Sequence, residues 1–162
     1  MTPQRPNVES PDSTILSPDW IVGFVDGEGC FHVAISKHDG MRFGYQIIPE
    51  LTVVQHERDI QLLHRLRSAM KCGVVRRNHG DRFCWRVRDL KSLAEMVIPF
   101  FEKHRLKSKK SVEFCKFAKI VKKMVRGEHL TEDGFDHIGQ IARTMNRGER
   151  LAIRLKRESI PE

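Results

Sequence analysis

Apolar residues recur along this chain with two different periods, and these periods predict its helices and strands. Apolar positions three and four residues apart indicate a helix, whereas strict alternation indicates a strand with one buried face. Phe31, Val33 and Ile35 alternate in this way with smaller or polar residues. The patterns predict helices over about residues 19–27, 59–71, 90–103, 108–126 and 131–146, and strands over about 30–36, 46–54, 74–78 and 82–88. The predicted order is therefore α-β-β-α-β-β-α, followed by two more helices.

Individual residues refine the ends and the buried faces of these elements. Ser17 and Pro18 predict the start of the first helix, because these residue types are preferred at the N-cap and in the first turn. Gly73 is predicted to end the second helix. Pro49 falls inside the second strand, where proline is tolerated mainly at a sheet edge or a bulge. The helix over 108–126 is predicted to bury Phe114, Phe117, Ala118, Val121 and Val125.

Four strands in two hairpins, with helices packed on one face, predict an α+β fold built on a four-stranded antiparallel sheet. The other face of the sheet is then open to solvent, and a polar surface is expected there in any such protein. Only the enrichment in arginine favours a ligand over plain solvation. The positions predicted on this open face are His32, Ser36, Gln46, Glu50, Thr52, Arg76, Asn78, Arg82 and Arg86.

The length of 162 residues is that of a single domain. Residues 1–16 contain three prolines and no signal-peptide pattern, so we expect a disordered segment there and no export. Residues 17–147 are predicted to form the domain, and residues 148–162 a basic tail of uncertain order. No stretch approaches the roughly 20 apolar residues that a membrane-spanning helix requires. The four cysteines are scattered without a C-x-x-C pair, which argues against a zinc site or a disulfide scaffold.

Positive charge is concentrated in one part of the chain. The formal net charge is +8 and the sequence pI is about 9.6. Between Lys103 and Arg126, ten lysines and arginines stand against Glu113 as the only acid. A concentrated basic segment is typical of a protein that binds a polyanion, nucleic acid above all. A solvated helix face or a membrane-binding surface is the alternative that charge alone leaves open.

The first helix ends in a way that breaks local rules twice. Gly23 and Gly27 lie four residues apart on one helix face, although glycine inside a helix costs about 1 kcal/mol relative to alanine. Asp26 and Glu28 then place negative charge at the helix C-terminus, where the helix dipole disfavours it. Such violations are expected at functional sites. The alternative is a glycine-rich helix end that runs into a hairpin, with both acids solvated.

One physical reading of this segment is a contact between two copies of the helix. Glycines on one face allow a second helix backbone to approach closely, as in small-x-x-x-small pairing. Two such helices would bring their terminal acids together, and close carboxylates require a cation between them. A few oxygen ligands suit Mg²⁺, which keeps waters and accepts phosphate oxygens. A metal of this kind can activate water for phosphodiester hydrolysis.

The segment from Ile21 to Gly29, I-V-G-F-V-D-G-E-G, resembles the LAGLIDADG motif of homing endonucleases, especially its G-F-x-D-G-[DE]-G form. The resemblance extends from about residue 17 to residue 126 through the order of elements. It includes Gln55 after the second strand and the basic segment from Arg105 to Lys110. It implies the family's αββαββα fold, with the open sheet face as the DNA-binding surface.

The resemblance also implies roles for individual residues. Glu28 matches the family's metal-binding acid, with Gly27 beside it in the metal site, and Gly29 matches the motif's closing glycine. Gly23 and Gly27 match the small residues of the helix interface. The peripheral active-site positions match Gln55 and Lys107, with Lys109 as the alternative active-site lysine and a predicted DNA contact. Two departures from the motif are Val22, which we expect to face the core, and Glu28, which replaces the commoner aspartate.

The motif occurs once, because residues 134–139 lack its acidic ending and no strand follows them. The resemblance therefore implies a homodimer that cuts a long, roughly palindromic double-stranded DNA site and promotes intron mobility. Mg²⁺ is the expected cofactor, and Ca²⁺ or Mn²⁺ could take its place in the site. An RNA maturase, a non-cleaving DNA-binding protein and a basic RNA-binding domain with a coincidental motif are the alternatives. We expect an intracellular protein of an organelle (chloroplast or mitochondrion) or of a prokaryotic cytoplasm.

Overall fold

One antiparallel sheet with helices on one of its faces forms the part of the chain that the structure describes. The computed structural model describes residues 15–146, so most of the predicted N-terminal segment and the whole basic tail lie outside it. The elements are α1 (Pro18–Glu28), β1 (Gly29–Lys37), β2 (Tyr45–His56), α2 (Ile60–Met70), β3 (Val74–His79), β4 (Arg82–Val87), α3 (Leu90–Ser92), α4 (Ile98–Lys103), α5 (Lys110–Val125) and α6 (Glu132–Arg143). The predicted α+β fold is confirmed.

The strands are ordered β1-β2-β4-β3 and every neighbouring pair is antiparallel. Although β2 is an interior strand, its ladder with β4 begins only at Leu51, so Pro49 pairs on one side alone, with Val33 of β1. Proline has no N–H to donate to a second ladder, which explains why it is tolerated at this position. At Pro49 the strand β2 therefore has the one-sided pairing that proline is expected to need, although β2 lies inside the sheet.

The helix-facing side of the sheet carries the core. Phe31, Leu51, Val53, Trp85 and Val87 are fully buried there. The ring of Phe31 contacts the rings of three phenylalanines on α4 and α5, with centroid separations of 5.2 to 5.6 Å. Burial of an aromatic ring of this kind contributes on the order of 2 kcal/mol. This aromatic cluster packs α4 and α5 against β1.

The start of α1 is as predicted. The hydroxyl of Ser17 accepts a hydrogen bond from the backbone N–H of Trp20 at 3.2 Å. Ile21, Val22 and Val25 are buried, and the 6% exposure of Val22 confirms that it faces the core. The core therefore takes one side of α1 and leaves the side with its glycines at the surface.

The end of α2 differs from the prediction. The helix ends at Met70, and Lys71 takes the left-handed conformation with φ 55° two residues before Gly73. Gly73 (φ 85°) is required for another reason as well, because a Cβ there would lie 2.5 Å from Nε1 of Trp85. That indole N–H donates to the carbonyl of Cys72 at 2.9 Å, so the glycine lets the chain pass close to the buried ring.

The predicted helix over 90–103 is interrupted. A π-helical turn, Leu93–Val97, separates α3 from α4 just before Pro99. Proline cannot donate the i→i−4 bond of a regular helix, and a π turn is one way in which a helix absorbs such a break. The residues Leu93, Val97 and Ile98 are nevertheless buried, as the periodicity predicted.

The burial of Val125 was predicted wrongly, because its exposed fraction is 55%. Ile120 and Met124 are buried in its place. The sequence pattern allowed either side of α5 to continue the apolar stripe. Two tertiary contacts decide which side of α5 is buried. The helix α6 packs on α5, and residues of the loop after β1 line a hollow together with Met124.

The end of α6 lies against the free edge of the sheet at β1. The side-chain amide of Asn146 donates to the carbonyl of Phe31, and the backbone N–H of Asn146 donates to Glu113 on α5 at 2.9 Å. Covering a strand edge in this way prevents it from pairing with another chain. No helix in residues 15–146 has the length and apolar character needed to cross a membrane.

Candidate active site and nucleic-acid interface

Glu28 is the last residue of α1, and its side chain is exposed where the helix meets β1. The junction is abrupt because Gly29 begins the strand immediately. A Cβ at Gly29 would lie 2.8 Å from the carbonyl oxygen of Val25, so only glycine allows this close approach. The closing glycine of the motif therefore shapes the turn within one chain, and it presents Glu28 at the end of the sheet.

Gln55 lies at the same end of the sheet. It is the next-to-last residue of β2 rather than a residue that follows the strand, and its side chain is half-buried. The β1–β2 ladder ends with Gly29 opposite Val53, so β2 runs three residues further, beyond the start of β1. Gln55 faces the helix side of the sheet, opposite Phe83 of β4.

Asp26 is bound to the segment between α4 and α5. Its Oδ2 accepts the backbone N–H of Lys107 at 2.7 Å, and its Oδ1 accepts the backbone N–H of Ser108 at 3.2 Å and the Ser108 hydroxyl at 2.7 Å. Partial burial raises the pKa of Asp26, but these hydrogen bonds and the charge of Lys110 outweigh it, so the pKa lies below its usual value. The two acids of the motif therefore have different surroundings.

Lys110 was not recognised from the sequence as part of the site. Its ammonium donates to the carbonyl of Val25 at 3.0 Å and to the carbonyl of Asp26 at 2.9 Å. The last carbonyls of a helix lack partners within the helix, and the dipole makes that end negative. A cation placed there offsets the acids that end α1. No local sequence signal could have found it, because 84 positions separate Lys110 from Asp26.

The two lysines considered for the active site are in different positions. The backbone of Lys107 is held against α1 by Asp26, and its side chain is exposed. Lys109 is two residues further on, at the N-cap of α5, and is also exposed. The structure thus attaches Lys107 to the helix that carries Glu28, whereas Lys109 begins the next element.

Within residues 15–146, nothing covers the face of α1 that carries Gly23 and Gly27. A Cβ built on either glycine would meet no atom within 4 Å. Trp20 extends the same face by one turn, is 39% exposed and stacks on Phe24 with a centroid separation of 4.7 Å. Trp20 was not predicted as part of this face, although its position three residues before Gly23 places it there.

The open sheet face brings most of the predicted polar residues together. The register pairs His32 with Glu50, Ser36 with Gln46, and Thr52 with Arg86, so these side chains share one face. Arg76 and Arg82 lie on the same face, across from Cys84 and His56 respectively. Within residues 15–146, neither of these arginines nor Arg86 forms an ion pair with a carboxylate.

Asn78 is an exception to the predicted rows. A register shift between Arg77 and His79 places His79, not Asn78, opposite Arg82. Asn78 remains exposed, but it lies at a bulge rather than in a cross-strand pair. Strict alternation cannot reveal a bulge, because the extra residue changes the parity only from that point onward.

Glu50 does not point freely from the open face. Its Oε2 accepts bonds from Nε of Arg88 at 2.9 Å and from Nη2 of Arg88 at 2.7 Å, and its side chain is 18% exposed. Arg88 follows β4 with the parity of Arg82 and Arg86, which is the signal that could have found it. The central thiol of this face, Cys84, is buried between its cross-strand neighbours, and burial raises its pKa.

The second half of α5 is basic but largely paired. Lys122 forms an ion pair with Glu102, while Lys123 and Arg126 both bind Glu128, at 3.3 Å and 2.7 Å. Glu102 precedes the basic segment and Glu128 follows it, so both offset its charge. The excess of positive charge read from the sequence is therefore partly neutralised on this surface.

Comparisons with known proteins agree with the resemblance seen in the motif. Residues 21–121 match a family model described as LAGLIDADG endonuclease. The chain is 32% identical over 148 residues to "Probable intron-encoded endonuclease 2" of Neurospora crassa, covering 90% of this chain and 32% of that protein. The match extends far beyond the nine residues of the motif, so a coincidental motif is excluded.

Two solved structures share the fold. The crystal structure of the homing endonuclease I-TnaI has 52% sequence identity and a TM-score of 0.82, over 88% of this chain and 98% of that chain. I-SmaMI bound to an uncleaved DNA target in the presence of calcium ions has 28% identity and a TM-score of 0.75, over 86% of this chain and 46% of that chain. This chain spans about a third or less of the length of the first curated relatives.

Proposed function

Because this chain belongs to the LAGLIDADG homing endonuclease family, we propose that it is a site-specific endonuclease that hydrolyses both strands of a DNA target. The observation that carries the proposal is the exposed carboxylate of Glu28, which lies at the end of the glycine face that the described residues leave uncovered. Asp26, two residues before Glu28, binds the backbone N–H of Lys107 and so holds this lysine near the acid. The acid can help to hold a metal that activates water, the cation can offset charge on the phosphate, and the glycine face can accept a second helix that brings a second acid.

The second motif helix comes from a second copy of the chain in this proposal. Gly23 and Gly27 leave room for a helix backbone, and Trp20 supplies an exposed apolar side chain beside them. An isologous contact of this kind generates a two-fold dimer, which reads a long pseudo-palindromic site. Since this fold covers 46% of the I-SmaMI chain, two units can also lie in one polypeptide, and the oligomeric state distinguishes the two arrangements.

A divalent cation fits between two such units. Within residues 15–146, no group of three or more His, Cys, Asp or Glu side chains is placed to hold a metal. Glu28 and the backbone carbonyl of Gly27 from each unit, together with phosphate oxygens, would provide the oxygen donors that Mg²⁺ prefers. When bound, the ion would lower the pKa of water and stabilise the leaving oxygen. A related structure was obtained with calcium ions, and Ca²⁺ or Mn²⁺ could occupy the same donors.

The protein's own residues then position the reactants. Glu28 would help to hold the metal, Gln55 would bind the attacking water through its amide, and Lys107 would offset negative charge at the phosphate. Preorganised charge of this kind typically contributes a factor of about 100 to 1,000 to the rate for each group. Lys107 is preferred over Lys109 because its backbone is bound to α1.

The open sheet face would lie in the major groove. Arg76, Arg82 and Arg86 have no acidic partner in the described part of the chain, and each would offer two hydrogen bonds to guanine. Around them lie the shorter polar side chains His32, Ser36, Gln46, Thr52 and Asn78, while Glu50 would act together with Arg88 and Lys109 would bind a phosphate. The Neurospora crassa relative is named as a probable intron-encoded endonuclease, so we propose cleavage of an intronless allele in an organelle or a prokaryotic cell. The family resemblance implies a cut across the minor groove that leaves 3′ overhangs.

The decisive experiment replaces Glu28 with Gln. The wild-type protein is incubated in Mg²⁺ with double-stranded targets that it selects from a randomised library. We expect cleavage by the wild type and a fall in rate of at least about 100-fold in Glu28→Gln, with DNA binding retained. Glu57→Gln, an exposed acid after β2, is the matched control. Specific binding without cleavage by the wild type would instead favour a non-cleaving regulator, and preferential binding of intron RNA would favour a maturase.

The dimer is tested by Gly23→Leu. Because nothing lies within 4 Å of a Cβ at this position, the substitution leaves the fold of a single chain intact and gains up to about 1 kcal/mol of helix propensity. We expect a monomer by sedimentation and no double-strand cleavage, with an unchanged or higher melting temperature. Cleavage at wild-type rates by a monomeric Gly23→Leu protein would refute the role of this face.

A further inference from the structure

Asp26 is the second acid of the motif, and its contacts differ from those of Glu28. We propose that Asp26 is a positioning residue that acts through Lys107 and does not bind the metal. This inference rests on the proposed nuclease function and assigns a task to a side chain that the family resemblance left without one.

The carboxylate of Asp26 is occupied within the chain. Three donors reach its two oxygens, namely the N–H groups of Lys107 and Ser108 and the Ser108 hydroxyl. A carboxylate offers about four acceptor sites, so most of them are used. Glu28, two residues later, is exposed. Glu28 thus faces solvent, whereas the carboxylate of Asp26 binds groups of its own chain.

The segment that carries Lys107 has few other attachments. Residues 104–109 form no regular element between α4 and α5. Leu106 anchors the segment on one side because its side chain is buried, and Asp26 binds it on the other side. The ammonium of Lys110 adds two bonds to the carbonyls of Val25 and Asp26. Lys107 therefore follows the buried Leu106 and is hydrogen-bonded through its own N–H to Asp26 of α1.

The hydrogen bonds from Lys107 and Ser108 to Asp26 fix the distance between Glu28 and the backbone of Lys107. Asp26 and Glu28 belong to the same helical turn, so a backbone bound to Asp26 cannot shift relative to Glu28 without breaking hydrogen bonds. A displacement of about 1 Å of a catalytic group can cost roughly 100-fold in rate. The long, flexible side chain of Lys107 makes a fixed backbone position especially useful, because its rotamers alone do not define where its charge lies.

The test is a double-mutant cycle of Asp26→Asn and Lys107→Met, read by single-turnover cleavage at saturating DNA. Asparagine replaces one acceptor oxygen with an NH₂ group, which faces a backbone N–H in either orientation. We expect Asp26→Asn to lower the rate about 10- to 100-fold and to change DNA affinity less than about threefold. In the Lys107→Met background, the same change should lower the rate less than about threefold, because the residue it positions is already gone.

A second measurement keeps the test decisive if the double variant cleaves too slowly to be timed. A positioning role predicts that Asp26→Asn leaves the Mg²⁺ concentration for half-maximal rate unchanged, whereas a metal ligand predicts that it rises tenfold or more. Ser108→Ala removes one of the three donors to Asp26, keeps the two backbone N–H bonds to it, and also removes the acceptor of the Lys110 N–H; it should slow cleavage about 3- to 10-fold. Asp133→Asn on the exposed first turn of α6 is the control and should cleave normally.

Two results would overturn the assignment while leaving the proposed function intact. One is a raised Mg²⁺ requirement in Asp26→Asn, and the other is an equal loss of rate from Asp26→Asn with and without Lys107. Both require a wild-type protein that cleaves and a Glu28→Gln variant that does not. If the wild type cleaves no DNA at all, the proposed function fails, and the inference about Asp26 falls with it.

Discussion

Two basic surfaces of this protein have similar charge in the sequence and different surroundings in the structure. On the open sheet face, Arg76, Arg82 and Arg86 form no ion pair within the described part of the chain. On the second half of α5, Lys122 and Lys123 are each bound to a glutamate. The denser cluster of positive charge is thus the one with less of it available to a ligand.

The difference shows that a count of charges along the chain locates basic segments but not binding surfaces. Glu102 and Glu128 flank the basic segment. Glu102 meets Lys122 through the fold, 20 positions away, whereas Glu128 binds Lys123 and Arg126 locally. Ion pairs made by exposed carboxylates add little to stability, yet they change the field that a polyanion meets. Four predictions test or sharpen the contrast between the sheet face and the α5 face.

The largest effect is expected from Arg86→Gln on the sheet face. A bidentate contact to a base contributes roughly 1 to 3 kcal/mol of discrimination, so its loss should weaken binding of the selected target about 10- to 100-fold. Lys122→Gln on α5 is the matched control and should weaken binding less than about twofold. Affinity for selected and scrambled duplexes at one fixed salt concentration measures both. If Lys122→Gln had the larger effect, the assignment of the two faces would be reversed.

Glu50→Gln should act in the opposite direction. Its carboxylate holds the Arg88 guanidinium, so neutralising it releases a cation on the sheet face. We expect affinity for non-specific DNA to rise about threefold and the slope of log affinity against log salt to steepen by roughly one contact. In an Arg88→Gln background the same change should have little effect. A fall in affinity on Glu50→Gln alone would mean that Glu50 itself contacts the bases.

A smaller effect is expected when the α5 face is unpaired. Combining Glu102→Gln with Glu128→Gln removes both acids that bind Lys122, Lys123 and Arg126. Non-specific binding of a polyanion such as heparin should rise about twofold at low salt, and binding of the selected target should not change. If the cleavage rate or the target sequence changed instead, α5 would belong to the DNA interface.

The fold was largely predictable because it follows from local patterns. Strand alternation placed Phe31 and Val33 on the core side, and N-cap chemistry located the start of α1. Where the prediction of an element failed, a distant contact decided the outcome. Val125 is exposed because α6 and the loop after β1 cover the other side of α5, and Asn78 is displaced by a bulge that alternation does not encode.

The candidate site was predictable only at its centre. Two glycines and an acid at fixed spacing marked Gly23, Gly27 and Glu28, since all three lie in one helical turn and a half. The partners of that helix end come from residues more than 80 positions away. Nothing near Lys107 or Lys110 indicates that the first donates to the carboxylate of Asp26 and the second to backbone carbonyls. Arg88 is an intermediate case. Strand alternation in the sequence places it on the open sheet face, but its bond to Glu50 could be known only from the register between β2 and β4.

The smallest effect concerns acid stability, and it tests whether the pairing on the α5 face exists in solution. Hydrogen bonds from Arg126 and Lys123 hold the pKa of Glu128 below its usual value. A carboxylate with a depressed pKa in the folded state adds stability above its ordinary pKa, and that stability is lost as the pH falls through the folded value. Glu128→Gln should therefore be slightly less stable than the wild type at neutral pH. The two should converge under acid conditions, where Glu128 is protonated.

The measurement is the free energy of unfolding by urea from neutral pH to below the usual range of a glutamate. The slope against pH should be shallower in Glu128→Gln, and Asp26 and Asp89, whose pKa values are also lowered, should retain most of the remaining slope. Asp136→Asn, an exposed acid on α6, should reproduce the wild-type curve. Identical curves for Glu128→Gln and the wild type would mean that Glu128 is solvated, so that the α5 face offers as much unpaired charge as the sheet.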